Sequence, residues 1–278
     1  MGKIKMINNR DTGLFISIAE RPGNLGATLF NYSFEKLGMN ATYLPLKLLS
    51  KDLPIAIAAI KAFHVKGCGV SMPHKSKVMK YLDRIDSQAR KIGAVNTIVI
   101  KDNKLIGYNT DWEGAKRALT LLYKPKGKEV LIVGAGGAAR AIIIALKSLQ
   151  PKRISISNRD NKRSQQLAKE FGVSFVSWNN RNETKAQLVI NATPVGMNNE
   201  EAMVIEPYLL NTVEAVMDVV VSPKPTLLIR KAMEKKKICI AGVDMATYQA
   251  EAQFELYTGK KAPHRIVKEA MKKFLTKK

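Results

Sequence analysis

Val130-Leu-Ile-Val-Gly-Ala-Gly-Gly-Ala-Ala-Arg140 decides the fold of this chain. Four apolar residues run into Gly134, Gly136 and Gly137, and an apolar, Ala-rich segment follows. That is the pattern of a buried strand, a tight glycine turn and a helix start. Glycines permit positive φ and let the backbone come close to a phosphate, and the helix N-terminus offers free N–H groups and a positive dipole end. A dinucleotide's pyrophosphate needs this geometry. The spacing is G-x-G-G-x-x rather than the standard G-x-G-x-x-G, and a strand-to-helix loop with no ligand is the competing reading.

The next strand, Arg153–Ser157, ends in Asn158-Arg159-Asp160-Asn161-Lys162-Arg163. An NAD site usually places Asp or Glu about 20 residues after the glycines, to hold the ribose hydroxyls. Asn158 and Arg159 stand there instead, and a cation suits a 2′-phosphate, which predicts NADP over NAD. Asp160 opposes this, because a carboxylate beside a phosphate repels it.

Further strands are expected at Val173–Val176, Leu188–Asn191, Ala215–Val220 and Ile238–Ala241, with helices at Met245–Leu256 and His264–Phe274. Upstream, strands at Leu14–Ile18, Thr42–Leu46 and Gly67–Met72 alternate with helices at Ala27–Leu37 and Ile55–Phe63. Short helices follow at Lys75–Leu82 and Ser87–Ile92, then a strand pair, Ala94–Ile100 and Lys104–Tyr108, and a helix from Trp112 to Tyr123. Alternating strands and helices imply mainly parallel α/β sheets. The expected architecture is two α/β domains with an interdomain cleft, the C-terminal one Rossmann-like and NADP-binding. The first covers 1–108, completed by helices at about 246–278, and the second covers 109–245.

Composition narrows the function classes. At 278 residues each domain can bury its own core. No run of about 18 apolar residues is present, so no membrane span is expected. The N-terminus lacks the apolar core of a secretory signal, and Cys68 and Cys239 lie in apolar runs, which predicts reduced, buried thiols in a cytoplasmic protein. The net charge is +23, but the cations are spread along the chain, without a nucleic-acid-binding motif. A solvated basic surface is favoured over a nucleic-acid partner, and its field would help attract anionic ligands.

Two stretches carry candidate chemistry. Val70-Ser71-Met72-Pro73-His74-Lys75 ends a strand, and Lys75 is expected to open a helix, where the dipole disfavours a cation. A lysine is a plausible proton donor to an oxygen that receives hydride, and a carboxylate would position it. Asn109-Thr110-Asp111 offers one. The alternatives are a solvated lysine and a helix N-cap. Asn96 enters an apolar strand and Gln249 lies on a helix; each suits either a substrate hydroxyl or a neighbouring loop. His64, His74 and His264 have no metal-ligand spacing, and no metal site is expected.

Together these stretches resemble the shikimate dehydrogenase family across nearly the whole chain. The elements, in order, are Val70–Lys75 (V-[ST]-x-P-x-K), Gly93–Thr97 (G-A-V-N-T), Asn109–Asp111 (N-T-D), Gly134–Ala138 (G-A-G-G-A), Asn158–Arg163 (N-R-x-x-x-R), Asn191–Met197 (N-A-T-x-x-G-M) and Gly242–Gln249 (G-x-x-M-x-x-x-Q). The resemblance implies a cytoplasmic, NADP-dependent oxidoreductase that reduces 3-dehydroshikimate to shikimate on the route to chorismate and the aromatic amino acids. It places Lys75 and Asp111 as the catalytic pair, and Ser71, Asn96 and Gln249 against the substrate. Gly134, Ala135, Gly136, Gly137, Ala138, Asn158, Arg159 and Arg163 match the cofactor site, and Thr193, Val219, Gly242 and Met245 match positions near the nicotinamide. The partner is a small carboxylate, and the chain is a monomer or homodimer. Two departures stand out. The family's Ser-x-Ser-Pro, whose hydroxyls hold the substrate carboxylate, is Asn24-Leu25-Gly26-Ala27 here, and a family tyrosine falls at Val221. This is similar to the divergent shikimate dehydrogenase-like branch, with Asn24 expected to take over the anion contact and Arg21 either joining it or solvated. The alternatives are a quinate/shikimate dehydrogenase that accepts NAD and an NADP-binding protein with little dehydrogenase activity.

Overall fold

The computed structural model describes residues 8–197 and 201–276. The chain divides into two compact units, one of residues 1–110 with 250–278 and one of residues 111–249.

The first unit contains β1 (Gly13–Ala19), α1 (Leu25–Lys36), β2 (Ala41–Lys47), α2 (Leu53–Ala62), β3 (Gly67–Val70), β4 (Arg84–Ile85), α3 (Ser87–Ile92), β5 (Thr97–Lys101) and β6 (Lys104–Tyr108). Its sheet order is β2-β1-β3-β5-β6-β4. β1 is parallel to β2 and β3, and β5 runs antiparallel to β3 and β6. The β5–β6 hairpin turns on Asp102 and Asn103, with φ of 50° and 56°. Asn and Asp tolerate that left-handed region at low cost, and a right-twisted hairpin favours such a turn. α1 and α9 (His264–Thr276) pack on each other, and an aromatic cluster of Phe15, Phe30, Phe34, Tyr43, Phe254 and Tyr257 fills this side of the unit. Gly67 allows the Tyr257 ring to lie on β3, because any Cβ there would overlap it.

The second unit contains α4 (Asp111–Leu122), β7 (Glu129–Val133), α5 (Gly137–Ser148), β8 (Arg153–Ser157), α6 (Asn161–Phe171), β9 (Ser174–Phe175), β10 (Leu188–Asn191), β11 (Ala215–Asp218), α7 (Leu227–Glu234) and β12 (Ile238–Ile240). α8 (Gly242–Thr258) starts in this unit and continues into the first. The sheet order is β12-β11-β10-β7-β8-β9, with every pairing parallel. Val130 and Ile132 bury against α4 and α5, while Leu131 and Val133 bury on the α7 side. A strand covered on both faces is apolar at every position, which explains the unbroken run before Gly134. The strand order reverses between β7 and β10. Ligands of open α/β sheets bind at such a switch point, beyond the carboxyl ends of the strands.

The expected helix at Lys75–Leu82 is replaced by turns over residues 72–76 and a 3-10 helix at Lys77–Tyr81. His74 N–H bonds the Ser71 carbonyl, and the Lys75 carbonyl is taken by Val95 N–H rather than by a following helical turn. Lys75 therefore does not sit at a helix N-terminus, and the dipole argument does not apply to it. Cys68 is buried and Cys239 partly buried, and neither forms a disulfide. Among the described residues no helix is long and apolar enough to cross a membrane.

Candidate active site

The first unit gathers polar side chains around the carboxyl end of β3. Val70 N–H bonds the Asn96 carbonyl, and Ser71 N–H bonds the Ile18 carbonyl. The loop that follows carries exposed Ser71 and half-buried Lys75. His74 between them is fully buried, and its Nε2 lies 2.9 Å from the Leu48 carbonyl oxygen, so Nε2 carries the proton. This contact and the Val95-to-Lys75 backbone bond pin both ends of the turn that presents Lys75.

Asn96 is buried at the entry to β5. Its Oδ1 accepts the Thr97 hydroxyl (2.7 Å) and Thr110 N–H (2.8 Å), and its Nδ2 donates to Thr110 Oγ1 (3.0 Å). Gln253 on α8 extends the network by donating to Thr97 Oγ1 at 3.0 Å. Of the two readings open for Asn96, the structure supplies the loop contacts directly. Gln253 follows Gln249 by four residues, which puts both on one helix face.

The Asn24–Ala27 segment explains one departure from the family pattern. Asn24 is exposed and ends the loop before α1 without a side-chain cap hydrogen bond, and Arg21 is exposed nearby in sequence. A Cβ at Gly26 would lie 3.1 Å from the Tyr43 hydroxyl and 3.3 Å from Tyr43 Cζ. The phenol of Tyr43, reaching from β2, therefore occupies the space a side chain at position 26 would need. A Cβ at Gly69 would meet the same hydroxyl at 2.7 Å. Burial pushes the Tyr43 phenol well above its ordinary range, against a hydrogen bond with Ser17, so it is a neutral donor. The sequence did not single out Tyr43, because a tyrosine in an apolar strand reads as core. The glycine at position 26 was its only trace.

In the second unit the glycine turn joins β7 to α5. Gly134 has φ +122°, and a Cβ there would lie 2.8 Å from the Ala192 backbone. Gly136 and Gly137 face open space, with no atom within 4 Å of where their Cβ atoms would be. Gly136 caps α5 with no side-chain hydrogen bond to the first-turn N–H groups. Ala135 is buried and Ala138 half-buried. Arg163 Nε donates to the Ala135 carbonyl at 3.0 Å, which ties the start of α6 to the turn. Arg159 is exposed at the carboxyl end of β8, and Asn158 Nδ2 bonds the Asp160 carbonyl. Asp160 caps α6 by accepting Arg163 N–H at 3.1 Å, so its carboxylate is engaged by a helix N-terminus. A bare-backbone cradle beside exposed guanidinium groups fits a pyrophosphate and a 2′-phosphate.

Across the switch point, Thr193 follows β10, with its N–H and hydroxyl both on Asn191 Oδ1. Val219 is half-buried after β11, and Met245 is buried in α8. Gly242 begins α8 against the Val220 carbonyl, where any side chain would overlap it. Gln249 lies on the same helix, beside Gly114 of α4. Asp111 is the half-buried first residue of α4, a position where a carboxylate is favoured by the helix dipole. Of Asn191, Asp218 and Thr226, which organise this edge, Asn191 opens the Asn191–Met197 motif and Asp218 matches a family aspartate three residues before Val221, but the sequence showed no role for either, and Thr226 reads as an ordinary loop residue. Among the described residues no cluster of three or more His, Cys, Asp or Glu could hold a metal ion.

A doubly wound parallel sheet with an open glycine cradle at its switch point defines a dinucleotide-binding protein. Three family models match the chain: the shikimate dehydrogenase substrate binding domain over residues 25–98, shikimate/quinate 5-dehydrogenase over 115–194, and the shikimate 5′-dehydrogenase C-terminal domain over 242–272. The NADP(+) shikimate dehydrogenase of Desulforamulus reducens is 35% identical over 90% of both chains. A shikimate dehydrogenase-like protein of Haemophilus influenzae is 33% identical, covering 94% of this chain and 96% of its own. A solved shikimate dehydrogenase in complex with NADP+ superposes with a TM-score of 0.90 at 33% identity, covering 99% of this chain and all of the other. A solved shikimate 5-dehydrogenase from Listeria monocytogenes in complex with shikimate and NAD gives 0.87 at 31% identity, over 96% of this chain and 99% of that one. The chain belongs to the shikimate dehydrogenase family.

Proposed function

We propose that this chain is an NADP-dependent dehydrogenase interconverting 3-dehydroshikimate and shikimate, or a closely related cyclic polyhydroxy-carboxylate. The observation that carries the cofactor half is the cradle itself: open backbone at Gly136 and Gly137, with Arg159 and Arg163 beside it and Asp160 turned to cap α6. In this reading residues 111–249 hold the cofactor and the first unit holds the substrate.

The turn at Gly134–Ala138, with Arg159 and Arg163, would hold NADPH, which would supply hydride for the substrate carbonyl carbon. Lys75 donates a proton to the carbonyl oxygen as it becomes a hydroxyl, and takes it back in the oxidative direction. A lysine ammonium carries the proton that this step needs. Asp111 orients that ammonium and accepts a ring hydroxyl. Ser71, Asn96 and Gln249 bind the remaining hydroxyls. At the carboxylate end Asn24 and the Tyr43 hydroxyl take the place of the family serines. The Tyr43 reading is supported by the overlap of its phenol with the side-chain space at Gly26.

Lys75→Ala should lower kcat by about a thousandfold, in the range removed with a general acid, while NADPH affinity stays unchanged. Retained turnover would reject the assignment. The NAD-accepting quinate/shikimate reading has the Listeria complex in its favour. Engagement of Asp160 as a helix cap weighs against it, because that carboxylate is drawn toward Arg163 N–H. Steady-state kinetics with NADP and NAD against shikimate and quinate separates the two.

A further inference from the structure

Asp218 is the last residue of β11 and is fully buried. Burying a carboxylate is costly, and a strand end does not require one. Among the described residues no cation pairs with it. Its partners are all neutral donors: Asn191 Nδ2 and Val220 N–H on Oδ1, each at 3.0 Å, and the Thr226 hydroxyl on Oδ2 at 2.7 Å. Three convergent donors are the environment of an ionised acceptor, whose bonds are shorter and stronger than neutral ones.

These bonds lead directly into the loops that leave the carboxyl edge of the sheet. Asn191 is saturated: its Nδ2 also donates to the Val195 carbonyl at 3.0 Å, and its Oδ1 accepts both Thr193 N–H and the Thr193 hydroxyl. Thr193 Oγ1 in turn accepts Val195 N–H at 3.1 Å. Val220 is held against the start of α8 at Gly242. Thr226 is the N-cap of α7. One carboxylate thus fixes the loop after β10, the loop after β11 and the start of α7. In a doubly wound sheet the half bearing the glycine turn takes the adenosine end of a dinucleotide, and the other half takes the far end. β10, β11 and β12 form that second half here.

We propose that Asp218 is a positioning residue for the nicotinamide half of the cofactor, setting the loops of Thr193 and Val219 through Asn191, Val220 and Thr226. The proposal rests on the NADP reading above. Asp218 touches no ligand itself. Its effect falls mainly on one end of the cofactor, because Gly136, Gly137, Arg159 and Arg163 lie on the other half of the sheet and share none of its hydrogen bonds; only Gly134 packs against the Ala192–Thr193 loop.

The test uses the full chain and two ligands, NADPH and 2′,5′-ADP, the latter carrying only the phosphorylated adenosine end. Dissociation constants are measured by calorimetry for wild type, Asp218→Asn, Thr226→Val and Thr226→Ser. Asparagine keeps the shape but removes the charge: with its oxygen left on Asn191 and Val220, its NH2 faces the Thr226 hydroxyl, which must turn from donor to acceptor. Valine removes the hydroxyl that bonds Oδ2, and serine keeps it. The expected result is an NADPH Kd raised about tenfold in Asp218→Asn and severalfold in Thr226→Val, near wild type in Thr226→Ser, with 2′,5′-ADP affinity unchanged throughout. Equal loss for both ligands would show that Asp218 only holds the domain together and would overturn the proposal, as would unchanged NADPH affinity in both variants. If Asp218→Asn does not fold, the Thr226 pair decides alone. A wild-type chain that binds neither ligand overturns the cofactor reading, and this one with it.

Discussion

Tyr43 and Gly26 are packed as a pair. A serine at position 26 would place its Cβ 3.1 Å from the Tyr43 hydroxyl, closer than ordinary packing allows, so glycine and tyrosine are coupled choices. Tyr43→Phe keeps the ring in the aromatic cluster, where it stacks on Phe30 at 4.8 Å, and removes only the oxygen. We expect KM for a carboxylate substrate to rise about tenfold, the worth of one hydrogen bond to a charged group, with NADPH affinity unaltered. Adding Gly26→Ser to that variant should not restore KM, because the phenylalanine ring still fills the space. Asp218 has a different signature. Burial pushes its carboxyl above the ordinary carboxylate range, against the pull of the Thr226, Val220 and Asn191 donors. The folded chain therefore takes up a proton there at higher pH than the unfolded chain does. The stability tied to that proton is present at low pH and is lost as pH rises through the folded value. Asp218→Asn lacks this titration, so wild type should gain in Tm relative to the variant as pH falls from neutral, measured by thermal melts of both. Over the same range wild-type NADPH affinity should weaken, because protonation removes an acceptor from the network.

At the scale of elements, β3 and α8 are joined through a missing side chain. Gly67 sits under the Tyr257 ring, whose centroid lies 5.3 Å from Phe15 and 5.5 Å from Phe30. Gly67→Ala would force that ring into a filled cluster, and overpacking of this kind costs about 1–3 kcal/mol. Calorimetry should show a Tm lowered by several degrees, with NADPH affinity preserved if the cofactor site proposed in residues 111–249 is right. Most elements were legible in advance for a simple reason: buried parallel strands write continuous apolar runs, and Gly38 and Gly172, with φ of +62° and +58°, mark helix ends. The segment after β3 was not, because the alternation of Lys75, Lys77 and Lys80 with Val78 and Met79 suits an α-helix as well as a turn and a 3-10 helix. What decided it was Val95 N–H taking the Lys75 carbonyl, a contact between distant positions. The candidate site divides the same way. Residues proposed to meet a ligand through local motifs, such as the glycine turn and Lys75, could be read from spacing. The contacts of His74, Tyr43 and Asp218 depend on partners far along the chain, such as Asn191, 27 residues before Asp218, and no local spacing reveals them.

Over the whole molecule the net charge of +23 is its largest departure from an ordinary enzyme. The ion pairs of the described residues are mostly exposed; those of Lys128 with Glu214 and Lys61 with Asp83, each at 2.8 Å, are examples. Exposed pairs contribute about 0–1 kcal/mol each, so the excess of lysine is not a device for stability. Its physical consequence is a positive field at long range, which raises the encounter rate of anionic ligands and is screened by salt. The Debye length falls from about 30 Å at 0.01 M to about 10 Å at 0.1 M and about 3 Å at 1 M, so steering by the whole surface is lost across that range while contacts at the site persist. Stopped-flow fluorescence with NADPH should therefore show an association rate that drops about tenfold or more between 0.01 M and 0.5 M salt, with a much smaller change in the dissociation rate. NADH, which lacks the 2′-phosphate and its charge, should lose less. A salt effect confined to dissociation would instead place the electrostatics at Arg159 and Arg163 alone and leave the remaining charge without a part in capture. An association rate indifferent to salt for both cofactors would show that the cations are spread too evenly to steer a ligand at all.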